Sequence, residues 1–216
     1  MAAPTAARRL SPEARREQLA ELAQGLIAAD GYTAFSLDTL AERAGVTRNL
    51  LYHYFPRGRI DLLHAAVERA GQELTDDWSL DESVPLQQRL AANFARMADH
   101  AAAPSDAWVA RRFGAASGDP EVRAVHDRYA RRVVDAIARN NLGTDDVAPL
   151  VRASLEAYLA FAEALLDRMR ESGLPREQVV GVLAEILAAT TTAAGGQAAD
   201  RPRRRKRPAA RRSAGR

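Results

Sequence analysis

Arg48 and Asn49 stand side by side in the run Thr47-Arg48-Asn49-Leu50-Leu51-Tyr52-His53-Tyr54-Phe55, and their chemistry is that of base recognition. A guanidinium meets O6 and N7 of guanine with two parallel donors, and a carboxamide meets N6 and N7 of adenine with one acceptor and one donor. Thr47 offers a hydroxyl at the start of the same element, where the amides of a helix N-terminus already favour phosphate. Tyr52, His53 and Tyr54 are three consecutive polar-tipped rings spread over one turn, so they cannot all face a core. Tyr52 and His53 suit phosphate or base-edge contact, although His53 also fits a plain surface position and Tyr54 fits core packing. Leu50, between polar Asn49 and apolar Leu51, either packs inward or touches a thymine methyl. Arg57 and Arg59 follow closely, and Arg59 falls in the first turn of the next element, where it either meets phosphate or simply solvates a helix start.

These groups need a scaffold that holds them outward. Leu51 and Phe55, four apart, predict a short helix over Arg48 to Phe55 with Arg48 and Asn49 opposite the apolar face. Ahead of it Ser36 reads as an N-cap, Phe35 as a hydrophobic staple on Leu40, and Leu37, Leu40, Ala41 and Ala44 as the buried side of a two-turn helix. Gly45 ends that helix and Thr47 caps the next. Helix, glycine turn, capping hydroxyl and helix are the physical form of a helix-turn-helix. Upstream, Ser11-Pro12 predicts a first helix carrying Leu19, Leu22, Ala23, Leu26 and Ile27 and stopped by Gly31. Downstream, Pro56-Arg57-Gly58 break the chain before a helix from Arg59 to about Glu73 with Ile60, Leu63, Val67 and Ala70 on one side.

The segment Leu40-Ala41-Glu42-Arg43-Ala44-Gly45-Val46-Thr47 with Arg48 to Phe55 resembles the DNA-binding signature of the TetR family of bacterial regulators. That pattern runs Ile/Leu-Ala, three residues, Gly-Val-Ser/Thr, three residues, Leu-Tyr, one residue, His/Tyr-Phe, and the likeness extends over about Ser11 to Ala70. The resemblance implies an all-α protein with a three-helix head, a linking fourth helix, a variable helical body with a ligand pocket, and dimerisation by the last two long helices. It places Thr47, Arg48, Asn49 and Leu50 among recognition-helix contacts, and Tyr52 and Tyr54 at the tyrosine and His/Tyr positions that touch phosphate. Ser36, His53, Arg57 and Arg59 complete the expected DNA-contacting set. Family members commonly carry Phe, two residues, Lys before the fourth helix; here Gly58 takes the lysine place and a basic residue comes one position later. A turn longer by one residue would let Arg59 act as the phosphate clamp, with Arg57 as its rival.

Beyond residue 75 the polar, turn-prone stretch to Pro85 leads into longer amphipathic helices, expected at Leu86 to Ala101, Asp106 to Ala116, Pro120 to Asn140, Val147 to Glu171 and Pro175 to Thr190. Pro104-Ser105, Gly118-Asp119-Pro120, Gly143-Thr144-Asp145 and Gly173-Leu174-Pro175 punctuate them. The last two are apolar over more than one narrow stripe. Either they form half of a four-helix bundle with a second subunit, or they are central to their own monomer. The domain expectation is a disordered start over 1–10, a helix-turn-helix domain over 11–57, a linking helix over 58–74, an antiparallel helical ligand-binding and dimerisation domain over 75–194, and a basic disordered tail over 195–216. Phe94, Met97, Trp108, Phe113, Tyr129, Tyr158 and Phe161 are the bulky residues that would line an apolar pocket for a small-molecule effector, with ordinary core packing the alternative for each. Asp99-His100 and His126-Asp127 read as solvated pairs, so neither a metal nor a cofactor is expected.

Composition narrows the function classes. The 216 residues are 47% hydrophobic and 6% aromatic, which favours aliphatic helix packing, and the absence of cysteine removes disulfides and thiolate chemistry. With four histidines and no phosphate-gripping glycine loop, an enzyme is disfavoured. No apolar run of membrane-spanning length or signal-peptide form is present, so a cytoplasmic location is expected. Charge is uneven: from Gly195 onward nine Arg/Lys face one Asp, whereas the remainder carries 22 basic and 27 acidic residues. Such a tail either attracts duplexes without regard to sequence or serves solubility.

The expected function is a dimeric, sequence-specific regulator whose recognition helices lie about 34 Å apart on an inverted-repeat operator and leave it when a small molecule binds the body. A helical ligand-binding or scaffold protein without specific DNA binding, and a non-specific DNA coater acting through the tail, are the alternatives.

Overall fold

The computed structural model describes residues 10–76 and 83–199, and all regular structure within them is helical. Nine helices follow in order: α1 (Pro12–Ala34), α2 (Leu37–Ala44), α3 (Arg48–Tyr54), α4 (Arg59–Asp76), α5 (Leu86–Ala102), α6 (Asp106–Ala115), α7 (Pro120–Leu142), α8 (Pro149–Ser172) and α9 (Arg176–Ala199). No helix among the described residues is long and apolar enough to cross a membrane.

The ends of these helices are set by local chemistry. Side chains of Ser11, Ser36, Thr47, Ser105 and Asp119 each accept from amides two or three residues on, which satisfies donors that a helix start leaves without partners. Gly45 closes α2 in the left-handed region at φ 63°, ψ 38°, and its amide reaches back to Ala41 and Glu42, turning the chain toward α3. At Gly31 the φ/ψ of α1 leave the helical region, and one further turn reaches Ala34.

Two cores result. The first gathers Leu19, Leu26, Ile27, Leu40, Leu51, Phe55, Leu62 and Leu63 from α1 to α4. It also takes Val122, Val125 and Tyr129 from α7, with Phe113 of α6 packed on its edge. The head is thus built partly on the body rather than standing apart from it. The second core joins α5, α7, α8 and α9 through residues such as Phe94, Ile137, Leu155, Leu166 and Leu183. Between the two, α4 lies against α1, α6 and α7, while α8 runs along α9.

The expected helix positions hold to within a few residues except at the end. The last helix continues to Ala199, so residues 195–199 extend α9 instead of belonging to a tail that begins at 195. Residues 195–199 are Gly-Gly-Gln-Ala-Ala, and the two glycines, which disfavour a helix interior, are what made a helix end there the sequence expectation. Residues 1–9 and the basic segment 200–216, both expected to be disordered, lie outside the described residues.

Candidate DNA-contacting surface and ligand cavity

The short helix α3 presents the residues expected to read DNA on its exposed side. Leu51 is 1% exposed and Phe55 is equally buried, so the opposite face carries Arg48 and Asn49 into solvent. Leu50 is half-buried and sits outside the head's core. Thr47 Oγ1 accepts from the Leu50 amide at 3.3 Å, and Ser36 Oγ accepts from the Asp38 and Thr39 amides at 3.2 and 3.4 Å; each hydroxyl therefore caps one helix of the pair.

Arg48 is held rather than loose. Its Nη1 donates to both carboxylate oxygens of Asp38 at 3.1 and 3.2 Å, and its Nη2 to the hydroxyl of Tyr52 at 3.4 Å. Asp38 on α2 is an orienting partner that sequence reading passed over, because ten residues separate it from Arg48 and a helix boundary intervenes. Tyr52 is 43% exposed, and its ring lies over Gly58. His53 is exposed and meets the Tyr54 ring edge-on at 5.2 Å, while Tyr54 packs partly into the head's core. Of the two readings for Tyr54, core contact is therefore satisfied, with part of the ring still at the surface.

Gly58 accounts for the longer turn. Its φ of 63° is open to glycine at little cost, and a β-carbon there would come 3.3 Å from the Tyr52 ring. Its amide donates to Phe55 O at 2.8 Å, closing the turn that leads into α4.

The two rival clamps have different commitments. Arg59 turns back toward the end of α1: its Nη2 donates to the Tyr32 carbonyl and, at 3.1 Å, to the Thr33 carbonyl. Its guanidinium also lies 4.9 Å from the centre of the Tyr32 ring. Arg57 stays at the surface, with Nε on Asp61 at 2.6 Å and Nη2 on Glu121 at 2.7 Å. Partial burial would raise the Asp61 carboxyl, but hydrogen bonds from the Arg57 amide and side chain outweigh it and hold the group below the usual carboxylate range.

A cavity of about 60 Å³ lies in the body, between α4, α5, α6, α7 and α8. Of the seven residues expected to line a pocket, Met97, Trp108 and Tyr129 do so. The other four do not line it. Phe94, 1% exposed, is consumed by the second core, where it meets Tyr158 edge-on. Phe113 packs on the head's core beside Gly31. Tyr158 donates its hydroxyl to Leu183 O at 2.9 Å, and burial pushes its pKa up. Phe161, 40% exposed, and Tyr158 instead border an open groove between α8 and α9.

Sequence reading missed the polar lining: Asn93, Arg96 and His100 on α5, Arg111 on α6 and Glu163 on α8. The spacing 93, 96, 97, 100 was the available signal, since it puts all four α5 residues on one helix face. Asp99 and His100 are also engaged elsewhere, with Arg176 and Ser105 respectively.

Residues 19–66 match the model of "Bacterial regulatory proteins, tetR family", covering α1 from Leu19 through the first turns of α4. Over this segment the chain is similar to the TetR family. The matched family is one of bacterial regulatory proteins, and the matched residues include the whole of α2 and α3. The whole described fold agrees with TetR-family structures. It is similar to a tetR-family transcriptional regulator from Streptomyces coelicolor at 25% identity, with a TM-score of 0.70 over 88% of this chain and 87% of that one. It also resembles a putative transcriptional regulator from Pseudomonas aeruginosa PAO1 (23% identity, TM-score 0.59, 88% and 96% covered) and a TetR-like regulator from Rhodococcus sp. RHA1 (17%, 0.61, 83% and 96%). No curated protein matches the chain.

Proposed function

We propose that this chain is a TetR-family regulator, a homodimeric repressor that leaves an inverted-repeat operator when a small molecule occupies the cavity of its body. One observation carries the reading: α4 serves both sites. Its first residue, Arg59, lies just beyond α3, and Gly71, Leu74 and Thr75 near its other end line the cavity. A ligand that shifts α4 must therefore change how α3 is presented. By linkage, DNA lowers ligand affinity by the same factor that ligand lowers DNA affinity.

Dimerisation through α8 and α9 is supported by their exposed apolar residues: Leu150, Phe161 and Ile186 line the groove between the two helices, Val182 is exposed one turn before Ile186, and no other helix among the described residues covers them. Two α3 helices about 34 Å apart would then meet successive major grooves. Arg48 and Asn49 are the base readers, with Leu50 placed for a thymine methyl. Ser36, Thr47, Tyr52, His53 and Tyr54 hold the backbone. Arg57 is the better clamp than Arg59, since exchanging a surface carboxylate for a phosphate costs less than giving up two carbonyls and an aromatic platform.

Selecting bound duplexes from a random pool tests this reading. The expected product is a two-fold symmetric site; enrichment of no sequence would leave only binding through the basic segment 200–216. The variants F161E and I186E should run as monomers in sedimentation and lose the selected site.

A further inference from the structure

We infer that the cavity takes a small organic carboxylate, an apolar body with one anionic head, and that Arg96 and Trp108 hold that head. The inference rests on the effector reading above and adds the chemistry of the effector.

Two unmet groups point to it. Trp108 is 4% exposed, its ring lines the cavity, and its Nε1–H is buried with no hydrogen-bond partner. A buried donor of this kind is kept at a cost unless something supplies an acceptor. The second group is a cation. Arg96 reaches only the neutral Asn93 carboxamide and forms no ion pair among the described residues. Arg111, the other arginine at the cavity, is neutralised by Glu163 at 2.5 Å and lies 5.1 Å from the centre of the Trp108 ring.

The lining thus holds two guanidinium groups against one carboxylate, with a donor left over, and the rest of its wall is mainly apolar, including Met97 and Val133. A cationic or donor-rich ligand would leave the Trp108 donor unanswered and would be repelled by Arg96. A neutral apolar ligand would bury both groups without recompense. A carboxylate answers both at once, because charge-assisted bonds to a guanidinium are the stronger kind and each carboxylate oxygen has room for another donor.

Calorimetric titration of the full-length chain tests this with matched pairs graded in size from a cavity of about 60 Å³ upward: acetate, propanoate, butanoate and hexanoate against their primary amides. At least one acid is expected to bind at least about tenfold tighter than its amide. That preference should vanish in R96Q and persist in R96K, which retains the charge should R96Q lose its fold. W108F should weaken the acid more than the amide. Equal binding of acids and amides, an unchanged preference in R96Q, or binding of none of the acids overturns the inference. A carboxylate that binds as described but leaves affinity for a selected operator unchanged overturns the effector reading instead, while the ligand class stands.

Discussion

The ring of Tyr129 fills the place that a β-carbon on Gly71 would need, so this side chain of α7 lies directly against the backbone of α4. The phenol hydroxyl goes on to donate to Glu68 at 2.7 Å, one turn earlier on α4. Burial would raise Glu68, yet that hydrogen bond and the Arg128 guanidinium hold it below its ordinary value. Tyr129 also lines the cavity, so one side chain touches both that cavity and the helix leading to the head. G71A should cost about 1–3 kcal/mol of stability through overpacking, and Y129F about 1 kcal/mol through loss of one hydrogen bond. Urea denaturation of the two variants checks both values, and Y129F should also reduce the effect of a bound ligand on operator affinity.

N49A and R48A should each lose about 1–3 kcal/mol of discrimination at one base pair in each half-site, with little change in binding to random duplex. Because Asp38 holds the Arg48 guanidinium, D38N should also blur the choice at the Arg48 position while leaving that at Asn49 intact. Affinity for selected operators with single base changes, measured at fixed salt, reads both effects. Equal losses on operator and random DNA would mean that neither residue touches a base edge.

Arg57 and Arg59 can be separated by what their removal changes. R57A should flatten the log–log dependence of operator affinity on salt by about 0.9 for each lost phosphate contact and leave the fold intact. R59A should leave that slope unchanged and destabilise the head, since the Tyr32 and Thr33 carbonyls lose their donor. E121Q, which removes one competitor for Arg57, should strengthen binding to operator and random duplex together.

Deletion of residues 200–216, which carry nine Arg/Lys and one Asp, should weaken binding to random and operator DNA alike and lower the salt slope for both. An unchanged slope would assign this segment a role apart from DNA.

His126 predicts a pH dependence. Burial lowers its pKa below 6.5, and the Arg111 charge adds to this against the opposing pull of Glu163 and Asp127. The unfolded chain therefore takes up a proton that the folded chain resists, so stability is full above about pH 6.5 and falls as the pH drops toward the folded-state value. Thermal melts of H126Q between about pH 7 and 5 should show a shallower fall than the parent. Parallel slopes would mean that the imidazole takes up its proton equally in the folded and unfolded states.

The amino-acid sequence by itself determined the helices and the face of α3 that looks outward. Their signals are local: Ser36 and Thr47 cap amides two or three residues away, Gly45 turns the chain where it stands, and Leu51 and Phe55 define a buried side within one turn. Tertiary structure alone decided which charged and aromatic groups are engaged and which are left for a ligand. Arg59 is spent on carbonyls 26 and 27 residues away, Arg57 on a carboxylate 64 away, and Arg111 on one 52 away. Phe94 and Tyr158 looked as suited to a pocket as Met97 and Trp108 because residue type records size and polarity, whereas cavity lining depends on which helices cross beside it. Ion pairs and cavities arise between distant segments, and periodicity along one helix holds no information about the charge or shape of its neighbour.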